Sequence, residues 1–284
     1  MKILFILLIT CLSIYSQEVS IDLNIKIGQS NNYNILVKNV QDINGNQTSN
    51  NTIYNVSHKL VESSTDGLYF SWRINNYEIS KDIKGVSREL EKLNEGLEIK
   101  YYTTPNGIYK SIDNWDEILN FYQKKLEKIE ADFWGDEDAK SFVQSIKKNL
   151  LTPEKLSEYL LTELMLFHNF YGARLELNNE EVNTLKIQDE YLSIEIPIIN
   201  RALIKKDKSN YVLEINESID QMRANQIIND FTKKENIEKI SYSNLQNFLY
   251  SYNSRFEIVD IQYSKNVIIN NQKMSKFVQI SLSN

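Results

Sequence analysis

The hydrophobic period of this chain changes twice, and that change is the strongest restriction on how it can fold. Apolar residues recur at every second position up to Ile112, at every third or fourth between about 114 and 172, and again at every second from Leu192. A period of two dries one face of a strand, and a period of 3.6 dries one stripe of a helix. The pattern therefore predicts strands, then helices, then strands.

In the first block Val19, Ile21, Leu23, Ile25 and Ile27 alternate with Ser20, Asp22, Asn24 and Lys26, which predicts a strand with one wet face. Tyr33, Ile35 and Val37 begin a second strand, and Asn44-Gly45 offers a two-residue turn. Tyr54, Val56, His58 and Leu60 form the inward set of a third. After Asp66-Gly67 a fourth points Leu68, Phe70, Trp72 and Ile74 inward. A polar helix is expected from about Lys81 to Asn94, ended by Gly96, and then a hairpin around Pro105-Asn106-Gly107.

Asn114 and Glu117 have the spacing of a capping box, ahead of Trp115, Ile118, Leu119, Tyr122, Leu126, Ile129 and Phe133 at helical spacing. Ala139, Phe142, Val143 and Ile146 mark a second helix, and Thr152-Pro153 opens a third. The third is apolar on most of its circumference between Leu156 and Tyr171, so it is expected between the sheet and the other helices. Strands return at Leu192, Ile194, Ile196 and Ile198, where Pro197 predicts an edge or a bulge. Ser218 is the expected cap of a helix over 219–234, and Leu245, Phe248, Leu249 and Tyr252 suggest a shorter one. A last hairpin pairs Val259, Ile261 and Tyr263 with Val278, Ile280 and Leu282. The expected fold is α+β, a curved antiparallel sheet of about ten strands packed against an inserted helical layer. It forms one domain over 17–284 with the insertion at about 114–172.

Residues 1–16 read as a signal peptide. Met1-Lys2 is its charged start, Ile3 to Leu12 its apolar stretch, and cleavage is expected after Ser16. The apolar stretch is too short to span a membrane. A second reading makes Leu8-Ile9-Thr10-Cys11 a lipobox with Cys11 acylated as an anchor. Cleavage after Ser16 removes one charge, Lys2, so 31 basic against 38 acidic side chains leave a net charge of -7, compared with -6 for the full chain. It also removes the single cysteine, Cys11, and with it thiol catalysis and disulfides. The expected location is secreted or periplasmic, and no transmembrane span is expected in the mature chain.

The side chains that could carry chemistry are few. A net negative charge argues against a nucleic-acid partner. With two histidines and one cysteine in the chain, no metal site and no cofactor are expected. His168 lies within the apolar run Leu164-Met165-Leu166-Phe167-His168 without a serine or aspartate at catalytic spacing, and His58 falls on the inward side of its strand. Both read as core histidines. Asp132, Asp136 and Asp138 faintly suggest a calcium loop but lack its glycine and closing glutamate. They read as helix N-terminal acids. No catalytic residue is assigned.

The order of a first strand ending in Ile27-Gly28, a meander with Asp66-Gly67-Leu68, and Gly107-Ile108-Tyr109 leading to Asn114-Trp115 and a helical middle resembles uncharacterised secreted proteins of Bacteroidetes type. Several such families are similar to lipoprotein-carrier folds, in which a curved sheet wraps helices around an apolar cavity. The resemblance implies a non-enzymatic protein holding a lipid or another apolar or amphipathic ligand between sheet and helices. The site is expected near Trp72, Trp115, Leu164, Phe167 and His168. A structural or interaction component of the cell envelope, with an envelope protein as partner, is the alternative, and a hydrolase is the third reading.

Overall fold

The structure is a computed structural model and describes residues 17–79 and 83–283. The expected signal peptide, Cys11 and the predicted helix start at Lys81 lie outside the described residues. The chain begins with β1 (Glu18–Ser20), β2 (Ser30–Ile43), β3 (Asn46–Ser64) and β4 (Gly67–Glu78). Then come α1 (Gly85–Glu91), β5 (Glu98–Thr103) and β6 (Tyr109–Ile112). The helical middle is α2 (Trp115–Asp132), α3 (Glu137–Leu150) and α4 (Pro153–His168). It is followed by β7 (Arg174–Glu176), β8 (Glu180–Gln188), β9 (Glu195–Asp207) and β10 (Asn210–Ile219). The chain ends with α5 (Gln221–Lys234), β11 (Tyr242–Tyr252), β12 (Ile258–Ile269) and β13 (Gln272–Leu282).

Eleven strands form one open antiparallel sheet in the order β6-β5-β4-β3-β2-β13-β12-β11-β10-β9-β8. The first block is laid outward from the middle to one edge, and the last block runs from the other edge back to the middle. There β13 docks on β2, with Leu282 opposite Tyr33. The helical insertion therefore has to carry the chain from edge to edge, and α2 to α4 cover the face it crosses. The α+β architecture follows the period change, as expected.

The inward faces agree with the alternation. Tyr33, Ile35, Val56, His58, Leu60, Phe70 and Trp72 are all buried. Together with Ile118, Tyr122, Leu126, Leu156, Leu164 and Phe167 from the helices they form the main core. A second, smaller core lies further along the same face, where α5 packs Ala224 and Ile228 on Ile196, Ile219, Tyr242 and Val267.

Several expectations need correction. The alternating run 19–27 pairs as a strand only over Glu18–Ser20, with β7 in a separate two-stranded sheet. Beyond it Ile21 bonds the backbone of Gly172 and Ala173, and Leu23 that of Asn106, so the run follows a seam between loops; Ile27 stays exposed. The segment 245–252 is strand β11, not helix. Phe248, Tyr250 and Tyr252 face inward at period two, an alternation masked further back by the inward polar residues Asn244 and Gln246. Asp220, not Ser218, caps α5, because β10 extends to Ile219. Asn114 makes no cap bond to α2; its side chain accepts from the Lys100 amide at 2.8 Å and donates to Glu98 O at 3.0 Å, stitching the helix start to β5. Pro197 lies in the interior strand β9. Its carbonyl accepts from the Asp220 amide just past the end of β10, and the Asp220 carbonyl, which a donor at 197 would face, accepts from the Ala224 amide instead, so the missing N–H leaves no acceptor unsatisfied. By contrast, Asp136 and Thr152 cap α3 and α4 as helix N-terminal residues should, and Asp138 lies in the first turn of α3, whereas Asp132 is the last residue of α2 and not an N-terminal acid.

Candidate functional site

Two cores on one face leave a band of the sheet between them, and the strand register decides what fills it. Eight residues lie opposite one another across eight strands: Asn183, Asn200, Glu217, Gln246, Lys265, Lys276, Asn39 and Asn50. From Asn200 to Asn50 each has the parity of its strand's inward residues, so the sheet carries a polar belt across its covered face. Part of the belt satisfies itself. Asn200 donates to Glu217 at 2.8 Å, and Gln246 accepts from Tyr263 at 2.9 Å.

At the centre of the belt Lys265 and Lys276 are direct cross-strand neighbours on β12 and β13. Each is met from above by a carboxylate. Lys276 lies 3.9 Å from Glu163 of α4, beyond hydrogen-bond reach. Lys265 is hydrogen-bonded to Glu190 and lies 5.4 Å from the ring centre of Tyr191. Burial holds the Glu163 carboxyl above its ordinary range while Lys276 pulls it the other way. The 189–192 loop is pinned by Asp189, which is buried and accepts from the amides of Tyr191 and Leu192 at 3.0 and 2.9 Å and from the Tyr242 hydroxyl.

Two cavities meet on this belt. One, of about 540 Å³, runs along it beneath the 189–192 loop and is lined by Lys265, Lys276, Glu190, Tyr191, Asn39 and Asn50. The other, of about 530 Å³, enters between sheet and helices, with Tyr54, Tyr77, Leu93, Tyr122, Ile146, Leu151 and Leu156 in its wall. Asn39, Asn50, Thr162 and Lys276 belong to both linings, and Glu163 to the second. Each volume falls within the range of small-molecule sites, about 300–1,000 Å³. The composite space is apolar at one end and polar and charged at the other.

The residues named from the sequence lie deeper. Trp72 and Phe167 meet edge to face at 5.5 Å, His168 is 5.4 Å from Phe167, and Leu164 is buried in the same core. Trp115 is partly buried against that core. None of the five lines either cavity. Residues along the belt were not singled out by sequence, because their common feature is register.

Both histidines join one buried chain of hydrogen bonds. His168 Nδ1 is 2.8 Å from the Gly107 carbonyl, which accepts, so Nδ1 carries the proton. Its Nε2 then accepts from the Tyr101 hydroxyl at 2.7 Å, and the Tyr101 oxygen accepts from His58 Nε2 at 2.7 Å. This leaves His58 Nδ1 as a buried lone pair without a partner. Burial pushes His168 down to about 4, and burial reinforced by His168 lowers His58 well below its ordinary value. Both rings are neutral at pH 7. Tyr101 is held well above the usual phenol range, chiefly by burial. Gly107 adopts φ +97°, and a Cβ there would lie 2.8 Å from Leu23 Cβ and 3.1 Å from Tyr171 Cβ. A side chain at this turn would collide with Leu23 and Tyr171. Among the described residues no three His, Cys, Asp or Glu side chains gather as metal ligands.

No protein-family model matches the chain, and no curated protein matches it. Among solved structures it is similar to one described under lipid–protein interactions in lipovitellin, with 7% identity over 92% of this chain and a TM-score of 0.48. It spans 26% of that lipovitellin chain. A DUF1329 family protein from Desulfovibrio piger matches at 8% identity and TM-score 0.19, covering 89% of this chain and 84% of its own. A domain named as an outer membrane lipoprotein-sorting protein, from Vibrio parahaemolyticus, matches at 7% identity and TM-score 0.17 with the same coverage. None of the three brings a residue or a ligand across to this chain.

Proposed function

We propose that the chain is a non-enzymatic binding protein of the cell envelope or exterior, holding an amphipathic ligand between the sheet and its helical cover. The observation that carries this reading is the junction of the two cavities. An aromatic and aliphatic hollow under α2, α3 and α4 opens at Thr162, Glu163 and Lys276 onto a polar groove. A ligand with an apolar body and a polar end matches both environments at once, whereas a purely polar ligand would leave the hollow unfilled. The location rests on the sequence of residues 1–16, and a leader-dependent appearance outside the cytoplasm tests it.

The ligand reading is tested by native mass spectrometry of protein purified from its own host, with Ile146→Trp as the filled-cavity variant. Ile146 is partly buried and lines the hollow. The expected result is a co-purifying amphiphile on the wild-type protein that is lost from a folded Ile146→Trp. Equal ligand content in both, or none on the wild type, overturns the reading. A second reading, an interaction component of the envelope, draws on β8, which is nine residues long, forms a sheet edge and exposes Val182 and Leu185. Crosslinking in the host that traps nothing along β8 removes it.

A further inference from the structure

We infer that Lys265 and Lys276 together form the seat of an anionic head group, a carboxylate or a phosphate, whose single apolar chain runs into the hollow under α2, α3 and α4. This deepens the ligand reading above and rests on it. Like charges directly opposite across two strands repel and weaken the pair. These two are placed so on adjacent strands, and both face the groove. Where a local rule is broken on the wall of a cavity, a ligand that relieves the conflict is the physical reason to look for. The two ammonium groups are met by carboxylates carried on other elements, Glu163 on α4 and Glu190 on the 189–192 loop. The carboxylates thus stand where an anionic head would sit. One of them holds its lysine without a hydrogen bond, at 3.9 Å, and the other is on an exposed side chain. Asn39 and Asn50, next in the belt and on both linings, supply further donors at the same point.

The test compares palmitate, hexadecyl phosphate, hexadecanol and inorganic phosphate on the purified protein by calorimetry. The same titrations are run on Lys265→Gln/Lys276→Gln and on Glu163→Gln/Glu190→Gln, each checked for folding by near-UV dichroism. The wild type is expected to bind the two anionic chains about tenfold or more tighter than the alcohol, the scale of one charge-assisted hydrogen bond. The lysine variant is expected to lose that preference while still binding the alcohol. The glutamate variant is expected to strengthen it, a gain that a merely structural role for these residues does not produce. Equal affinity of the wild type for all three chains overturns the head-group seat and leaves the ligand reading standing. Failure to bind any chain overturns both. Inorganic phosphate bound as tightly as hexadecyl phosphate makes the seat one for a free anion and overturns the amphiphile.

Discussion

The buried histidine chain makes a quantitative statement about acid stability. His168 is neutral in the folded protein down to about pH 4 and titrates near its ordinary 6.5 when unfolded. Its folded value is the lower one, so the unfolded state takes up the proton first as pH falls. The stability it contributes is complete above about pH 6.5 and is lost as pH falls toward 4. At about 1.4 kcal/mol per pH unit the whole interval is worth about 3 kcal/mol, of which about 2.5 is lost by pH 4.5. His58 shifts in the same direction for the same reason, burial. Glu163 works in the opposite sense, because its folded value is raised and it gains stability as pH falls. The rings of Tyr101 and Tyr171 beside His168 are held well above the ordinary phenol value and are silent here. Replacing His168 with Gln removes its titration together with the lesser part of the His58 shift that His168 causes, burial being the larger cause there, so the difference between the two proteins reports chiefly on His168. Urea unfolding at about pH 7.5 and 4.5 should show the wild type losing about 2.5 kcal/mol more than His168→Gln. Parallel pH profiles for the two proteins would refute a neutral, buried His168.

Two further substitutions probe the surroundings of the site. Gly107→Ala puts a Cβ 2.8 Å from Leu23 Cβ at a φ of +97°. Backbone strain and overpacking together should cost about 3 kcal/mol, read as a lower urea midpoint at unchanged slope. An unchanged midpoint contradicts the close packing at that turn. Asp189→Ala removes the acceptor of two amides and the Tyr242 hydroxyl. About 3 kcal/mol is expected, together with faster amide exchange at Tyr191 and Leu192. Unchanged exchange there means that the carboxylate does not hold the loop.

The class of fold was legible because hydrophobic period reports a local property, the face each side chain takes on its own element. His58, Phe70, Trp72, Leu164 and Phe167 are buried because they occupy the dry positions of strands and helices that could be recognised one at a time. The same locality explains the errors. An alternating segment such as 19–27 is dried equally well by a sheet or by a seam between loops, and alternation cannot tell them apart. At Leu245, Phe248, Leu249 and Tyr252 the spacing fits a helix, yet the ladder from β10 to β12 makes the segment a strand. The exposed edge strand β8 has no dry face and so carries no signal.

The candidate site belongs to a different level. Asn39, Asn50, Gln246, Lys265 and Lys276 are ordinary polar residues on strands far apart in the chain, and each alone reads as solvated surface. They become one belt only when β13 docks on β2 and the registers of eight strands align. Side-chain alternation specifies a face, but the position along the partner strand is set by turns, by bulges and by the packing of both cores. Sequence alone therefore determined the sheet, the helical insertion and the buried aromatic core. Tertiary structure alone decided that two lysines stand side by side where an apolar hollow opens, because that contact depends on long-range register.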